Sequence, residues 1–182
     1  DAQIIEASRT REGFLDMLRK YTNLRPGVIV NSLSEISPLL SREEVDELIQ
    51  KCVQNNPTLS AQYASQLFQF YGDEFREMFL LSATFTSDKS FIYALASNED
   101  LRNRIGSEKV EEVVSMILSQ DLSVLDSVYR EDIFKLDLVS PAVLNKLLAE
   151  KLPAFPEYSV MPFIKGVWPH LDSVGKEVCK NV

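Results

Sequence analysis

The chain has 182 residues, 45% of them apolar and 25% charged, and a net charge of −8. Length and composition together exclude a disordered tract and provide for a substantial core. The acidic balance speaks against a nucleic-acid partner, because phosphate binding draws its affinity from clustered Lys and Arg.

The excess negative charge is concentrated in the middle. Residues 41–137 carry 18 acidic and 9 basic side chains, while 1–25 and 138–182 each carry four acidic and five basic ones. Such a middle serves as a solvated face or meets a basic partner surface. No apolar run approaches the roughly 20 residues of a membrane-spanning helix, so no transmembrane segment is expected, and peripheral association with a membrane complex remains compatible. The start at Asp1 is compatible with removal of an export or organelle-import signal, and equally with excision from a longer chain. Cys52 and Cys179 belong to no CxxC pair and fit two buried thiols better than one disulfide, although both arrangements are open.

In chain order, residues 2–22 read as a first helix, with Ile4, Ile5, Phe14, Leu15 and Leu18 at helical spacing. Arg25-Pro26-Gly27 breaks it, and Val28-Ile29-Val30 reads as a short helix or an extended connector. Ser41-Arg-Glu-Glu44 has the pattern of a capping box, followed by Val45, Leu48, Ile49 and Val53 on one face. Asn55-Asn56-Pro57 ends that helix. A helix over 59–71 follows, then one from Gly72-Asp73 to about Phe85, one capped by Ser87 or Asp88, and a stop and restart at Gly106-Ser107. Ser140-Pro141 offers a capping hydroxyl and a proline at the first helical position. Beyond residue 152, the prolines at 153, 156, 162 and 169 divide the chain into shorter helices.

The starts near 41, 74, 107 and 140 are evenly spaced at 33 residues, and a second apolar helix follows each, near 59, 90, 122 and 157. That spacing is the signature of an α-solenoid, with an irregular antiparallel bundle as the alternative. The expected architecture is therefore all-α: one domain of nine to eleven helices, with an N-terminal segment 1–40, hairpins over 41–152 and a proline-broken cap over 153–182.

Chemistry-bearing patterns are scarce. His170 is the one histidine, without a G-x-S-x-G elbow or a Glu-x-x-His pair to make it catalytic or metal-binding. The glycines are too scattered for a phosphate loop. No catalytic residue, cofactor or metal ligand is expected. The carboxylate clusters Glu43, Glu44, Asp46, Glu47 and Glu108, Glu111, Glu112 fall in first helical turns, where they complement the helix dipole. The stripe Phe68, Tyr71, Phe75, Phe79, followed by Phe85, Phe91 and Tyr93, reads as core between hairpins. Candidate partner-binding residues are Tyr158, Phe163 and Trp168 in the C-terminal segment, with Glu43, Glu47, Glu111 and Glu112 for a basic partner.

The stretch 87–118, through Ser90, Phe91, Tyr93, Asn98, Leu101, Gly106 and Val110, resembles the helical region that follows the thioredoxin-like domain in exported Bacteroidetes proteins. The resemblance implies an accessory helical domain of an envelope redox protein. The chain lacks both the βαβ unit and the CxxC of the redox domain, so no catalytic residue carries over. The expected function is a non-enzymatic protein-interaction or scaffold domain, a subunit or accessory segment of a larger assembly. The alternatives are an enzyme with a carboxylate and aromatic site, or a ligand-binding helical bundle.

Overall fold

The computed structural model describes residues 10–126 and 129–181, and these residues form fourteen α-helices joined by short turns, with no strand among them. The fold is all-α. Two compact units are present, Asp1–Ser82 and Ala83–Val182.

The first unit holds α1 (Arg11–Leu24), α2 (Pro26–Asn31), α3 (Leu33–Ile36), α4 (Arg42–Asn55), α5 (Leu59–Gln62), α6 (Ala64–Tyr71) and most of α7 (Glu74–Thr86). Helix α1 opens where the Thr10 hydroxyl accepts from the Gly13 N–H at 3.0 Å. The earlier part of the helix expected over 2–22, with Ile4 and Ile5, lies outside the described residues. Val28-Ile29-Val30 is helical: Pro26 presets the first turn of α2, and Ile29 and Val30 are buried. The capping box of α4 is complete, with Glu44 accepting from the Ser41 N–H while the Ser41 hydroxyl accepts from the Glu44 N–H.

The helix expected over 59–71 is broken at Tyr63. The short α5 buries Leu59, Ser60 and Ala61, and α6 beyond the break buries Ala64, Leu67 and Tyr71. The aromatic stripe is core through Tyr71, Phe75 and Phe79, and the last two rings meet edge to face at 5.8 Å. Phe68 is half-buried.

Three ties fix how α4 lies on its neighbours. Arg11 and Glu44 join the beginnings of α1 and α4, and Asn55 at the end of α4 donates to the Thr22 carbonyl at 3.0 Å. The two helices therefore run parallel. Arg42 donates to Glu74 at 2.8 Å, joining the beginnings of α4 and α7, with its guanidinium over the rings of Phe70 and Tyr71.

The second unit continues through α8 (Ser90–Ser97), α9 (Glu99–Ile105), α10 (Ser107–Gln120), α11 (Tyr129–Lys135), α12 (Pro141–Lys151), α13 (Glu157–Val167) and α14 (Ser173–Lys180). The Asp88 carboxylate accepts from the Ser90 N–H at 2.7 Å, and Asn98 caps α9 by accepting from the Leu101 N–H. Gly106, at φ +88°, closes α9 and opens α10, a conformation that L side chains rarely adopt. Phe91 is core, but Phe85 and Tyr93 of the expected stripe are exposed.

Three details depart from the sequence reading. The helix expected near 122 is a 3-10 turn over Leu122–Asp126, which buries Leu122, Val124 and Leu125, and the next described α-helix is Tyr129–Lys135. The Ser140 hydroxyl does not cap its own helix; it engages Glu111, whose carboxylate also accepts from the Ser140 N–H at 2.7 Å. Pro162 lies inside α13 instead of ending it. The proline is exposed, so the carbonyl it leaves without an intrahelical donor, that of exposed Tyr158, is open to water.

The Glu111–Ser140 bond joins the beginnings of α10 and α12. Asn145 donates to the Asp172 carboxylate at 3.1 Å and so brings the start of α14 against α12. Helices α1, α4, α7, α10, α12 and α14 begin at residues 11, 42, 74, 107, 141 and 173.

Candidate interaction surface

The C-terminal segment builds an open apolar groove within the second unit. Leu152 and Pro153 come from the turn that ends α12, Val160, Met161 and Ile164 from α13, Trp168 from the turn beyond it, and Cys179 and Lys180 from α14. The groove encloses about 530 Å³. Its floor is fixed by buried Leu152, Ile164 and Cys179. Its rim is not buried: Met161 is 60% exposed, and Tyr158, one turn earlier on α13, is 85% exposed.

The indole of Trp168 meets one cation. The Lys176 ammonium lies 5.9 Å from the indole centroid, across from α14. Two residues on, the His170 ring stacks flat on Phe134 at 4.4 Å, with its Nε2 3.4 Å from a Glu131 carboxylate oxygen. The lone histidine thus pins the turn that presents Trp168.

Among the candidates read from the sequence, Trp168 lines the groove and Tyr158 is exposed near it. Phe163 is only 2% exposed and packs edge to face on Phe155 at 5.0 Å, so it supports α13 from beneath. Glu43 and Glu47 belong to the first unit, and Glu47 accepts from Arg19 at 3.1 Å. On α10, Glu111 receives the start of α12 and Glu112 pairs with Lys109, and neither lines the groove. Sequence reading missed Met161 and Lys180. The signal for Met161 was present, since 161, 164 and 168 follow the i, i+3, i+7 spacing of one helical face.

Three carboxylates are held below their ordinary range, each by its place at a helix beginning. Glu44 is lowered by the Ser41 N–H, Glu111 by the Ser140 hydroxyl and N–H, and Asp172 by the Gly175 N–H and the Asn145 amide. None of the three lines the groove. Burial pushes the Cys52 thiol up to about 12 and raises Cys179 as well, and both are free thiols. Among the described residues no group of His, Cys, Asp and Glu is placed to hold a metal ion, and no helix is long and apolar enough to cross a membrane.

No protein-family model, curated protein or solved structure matches the chain.

Proposed function

We propose that this chain is a non-enzymatic protein-interaction module, an accessory segment of a larger assembly, whose partner docks in the groove beside Trp168. The observation that carries this reading is a groove with a fixed apolar floor and the exposed side chain of Met161 at its edge. Large aromatic and Met side chains at the centre of such a patch supply most of the energy of a protein contact.

We read the module as a stack of helical hairpins of about 33 residues. Support comes from the evenly spaced beginnings of α1, α4, α7, α10, α12 and α14, and from the bonds that tie the beginnings of successive helices within each unit. The accessory role also accords with the resemblance over 87–118, where Asn98 and Gly106 serve as helix boundaries and Phe91, Leu101 and Val110 as core. The experiment is affinity capture from the cells that make the protein, with wild type, Met161→Asp and Glu108→Lys as baits. A stoichiometric protein kept by wild type and Glu108→Lys but lost by Met161→Asp supports the reading. A partner that all three retain equally refutes the groove as its seat.

A further inference from the structure

Charge is sorted along the parallel pair α1 and α4. Their carboxylates all lie in the first half of each helix: Glu12 and Asp16 on α1, and Glu43, Glu44, Asp46 and Glu47 on α4. Between Asp16 and Glu35 the chain carries Arg19, Lys20 and Arg25 and no acid, and from Leu48 to Gly72 it carries Lys51 and no acid. Arg19 is engaged, by Asp16 at 3.6 Å and Glu47 at 3.1 Å. Lys20, Arg25 and Lys51 make no ion pair among the described residues. Glu44, Glu47 and Asn55 all bond to α1, and Lys51 lies on that same stripe of α4, one turn from Glu47 and from Asn55. The three free cations therefore share the end of the pair that the Asn55–Thr22 bond closes. Apolar side chains stand out there too. Leu24, in the last turn of α1, is 76% exposed and one turn from both Lys20 and Tyr21, which are exposed as well. Val28 is exposed just beyond the turn at Arg25.

We propose that this end of the first unit rests on an anionic lipid surface, with Leu24 and Val28 in the headgroup layer and Lys20, Arg25 and Lys51 against the lipid anions. The contact is separate from the groove beside Trp168, and neither reading depends on the other. Charge complementarity selects the occupant. The flanking carboxylates are Asp16 and Glu47, both held by Arg19, and Glu35, well beyond Val28. A bilayer suits protruding apolar side chains because it needs no matching pocket, and a tyrosine such as Tyr21 rests at its interface. The net charge of −8 on the whole chain does not oppose the contact, because charges farther than about 8 Å are screened at physiological salt. Each cation at such a surface adds about fivefold to binding, the equivalent of about 1 kcal/mol, so the attachment is weak and reversible.

The test sediments the full chain with vesicles of phosphatidylcholine alone and with vesicles of equal parts phosphatidylcholine and phosphatidylserine. At low salt the chain should bind the mixed vesicles about a hundredfold better than the neutral ones, with the difference shrinking at high salt. Lys20→Gln combined with Arg25→Gln should weaken binding to the mixed vesicles about twentyfold, and Leu24→Ser about tenfold. These side chains are exposed, so the variants keep the folded core. Met161→Asp should bind vesicles as wild type does, and its loss of binding would place the contact at the groove and overturn the proposal. Equal binding to both kinds of vesicle, binding that the double variant retains, or no sedimentation with either kind overturns it as well. Retention on immobilised poly-glutamate that the double variant loses, without vesicle binding, would assign this end to an acidic protein instead of lipid.

Discussion

Asn55 and Thr22 stand 33 positions apart, and the Asn55 amide donates to the Thr22 carbonyl at 3.0 Å and to the Asn23 side chain at 3.1 Å. With Arg11 and Glu44 joined at the other end, the bond clamps the ends of two parallel helices. Asn55→Ala should therefore lower stability by about 1 kcal/mol, the usual worth of such a bond. Ser41→Ala should cost about as much by opening the capping box of α4. Urea unfolding of both variants checks this. A neutral Asn55→Ala would mean that the clamp contributes nothing to stability.

Gly175 sits where α14 meets α12. A Cβ there would collide with the Asn145 side-chain oxygen and press on Leu171 at 3.3 Å. Asn145 has little freedom to yield, because its amide is bonded to Asp172. Gly175→Ala should destabilise by about 1–3 kcal/mol. Gly27→Ala is the control: its nearest neighbour, the Tyr63 hydroxyl, lies at 3.4 Å, and helix propensity favours Ala by about 1 kcal/mol. Thermal unfolding should move the two variants in opposite directions.

Glu111 links stability to pH. Its folded value lies below the ordinary 4.5, so its contribution is present above that value and is lost as pH falls through the folded one. Glu44 and Asp172 act in the same direction. The melting temperature of Glu111→Gln should lie below that of wild type by a constant amount at neutral pH, and the gap should close as pH falls below 4.5. A gap that widens in acid would contradict the assignment.

Much of the fold was legible in local signals: Ser41-x-x-Glu44, Gly106 and Ser140-Pro141 mark helix beginnings through chemistry that operates within a turn. The break at Tyr63 and the 3-10 turn over Leu122–Asp126 were not, because burial against distant residues decides them. The groove was legible only in part. Its residues span 152 to 180 and meet through packing, and Trp168 stood out by type alone. Phe163 was misleading for a simple reason. It lies two residues from Met161, about 200° around the same helix, so one of the pair faces the core when the other faces solvent.

Trp168 is the one tryptophan, so its fluorescence reports the groove directly. His170→Ala removes the ring stacked on Phe134 and releases the turn. The emission should shift to the red, and stability should fall by about 0.5–1.5 kcal/mol. An unchanged spectrum would show that His170 does not position Trp168.

The proposed function places a partner protein on the face of α13 that carries Met161. The most direct measurement places a photo-crosslinking amino acid at position 161 and, separately, at position 108 on α10, in the cells that make the protein. One discrete crosslinked protein from position 161 and none from position 108 is the predicted result. Absence of any product at 161, or the same products at both positions, would contradict it.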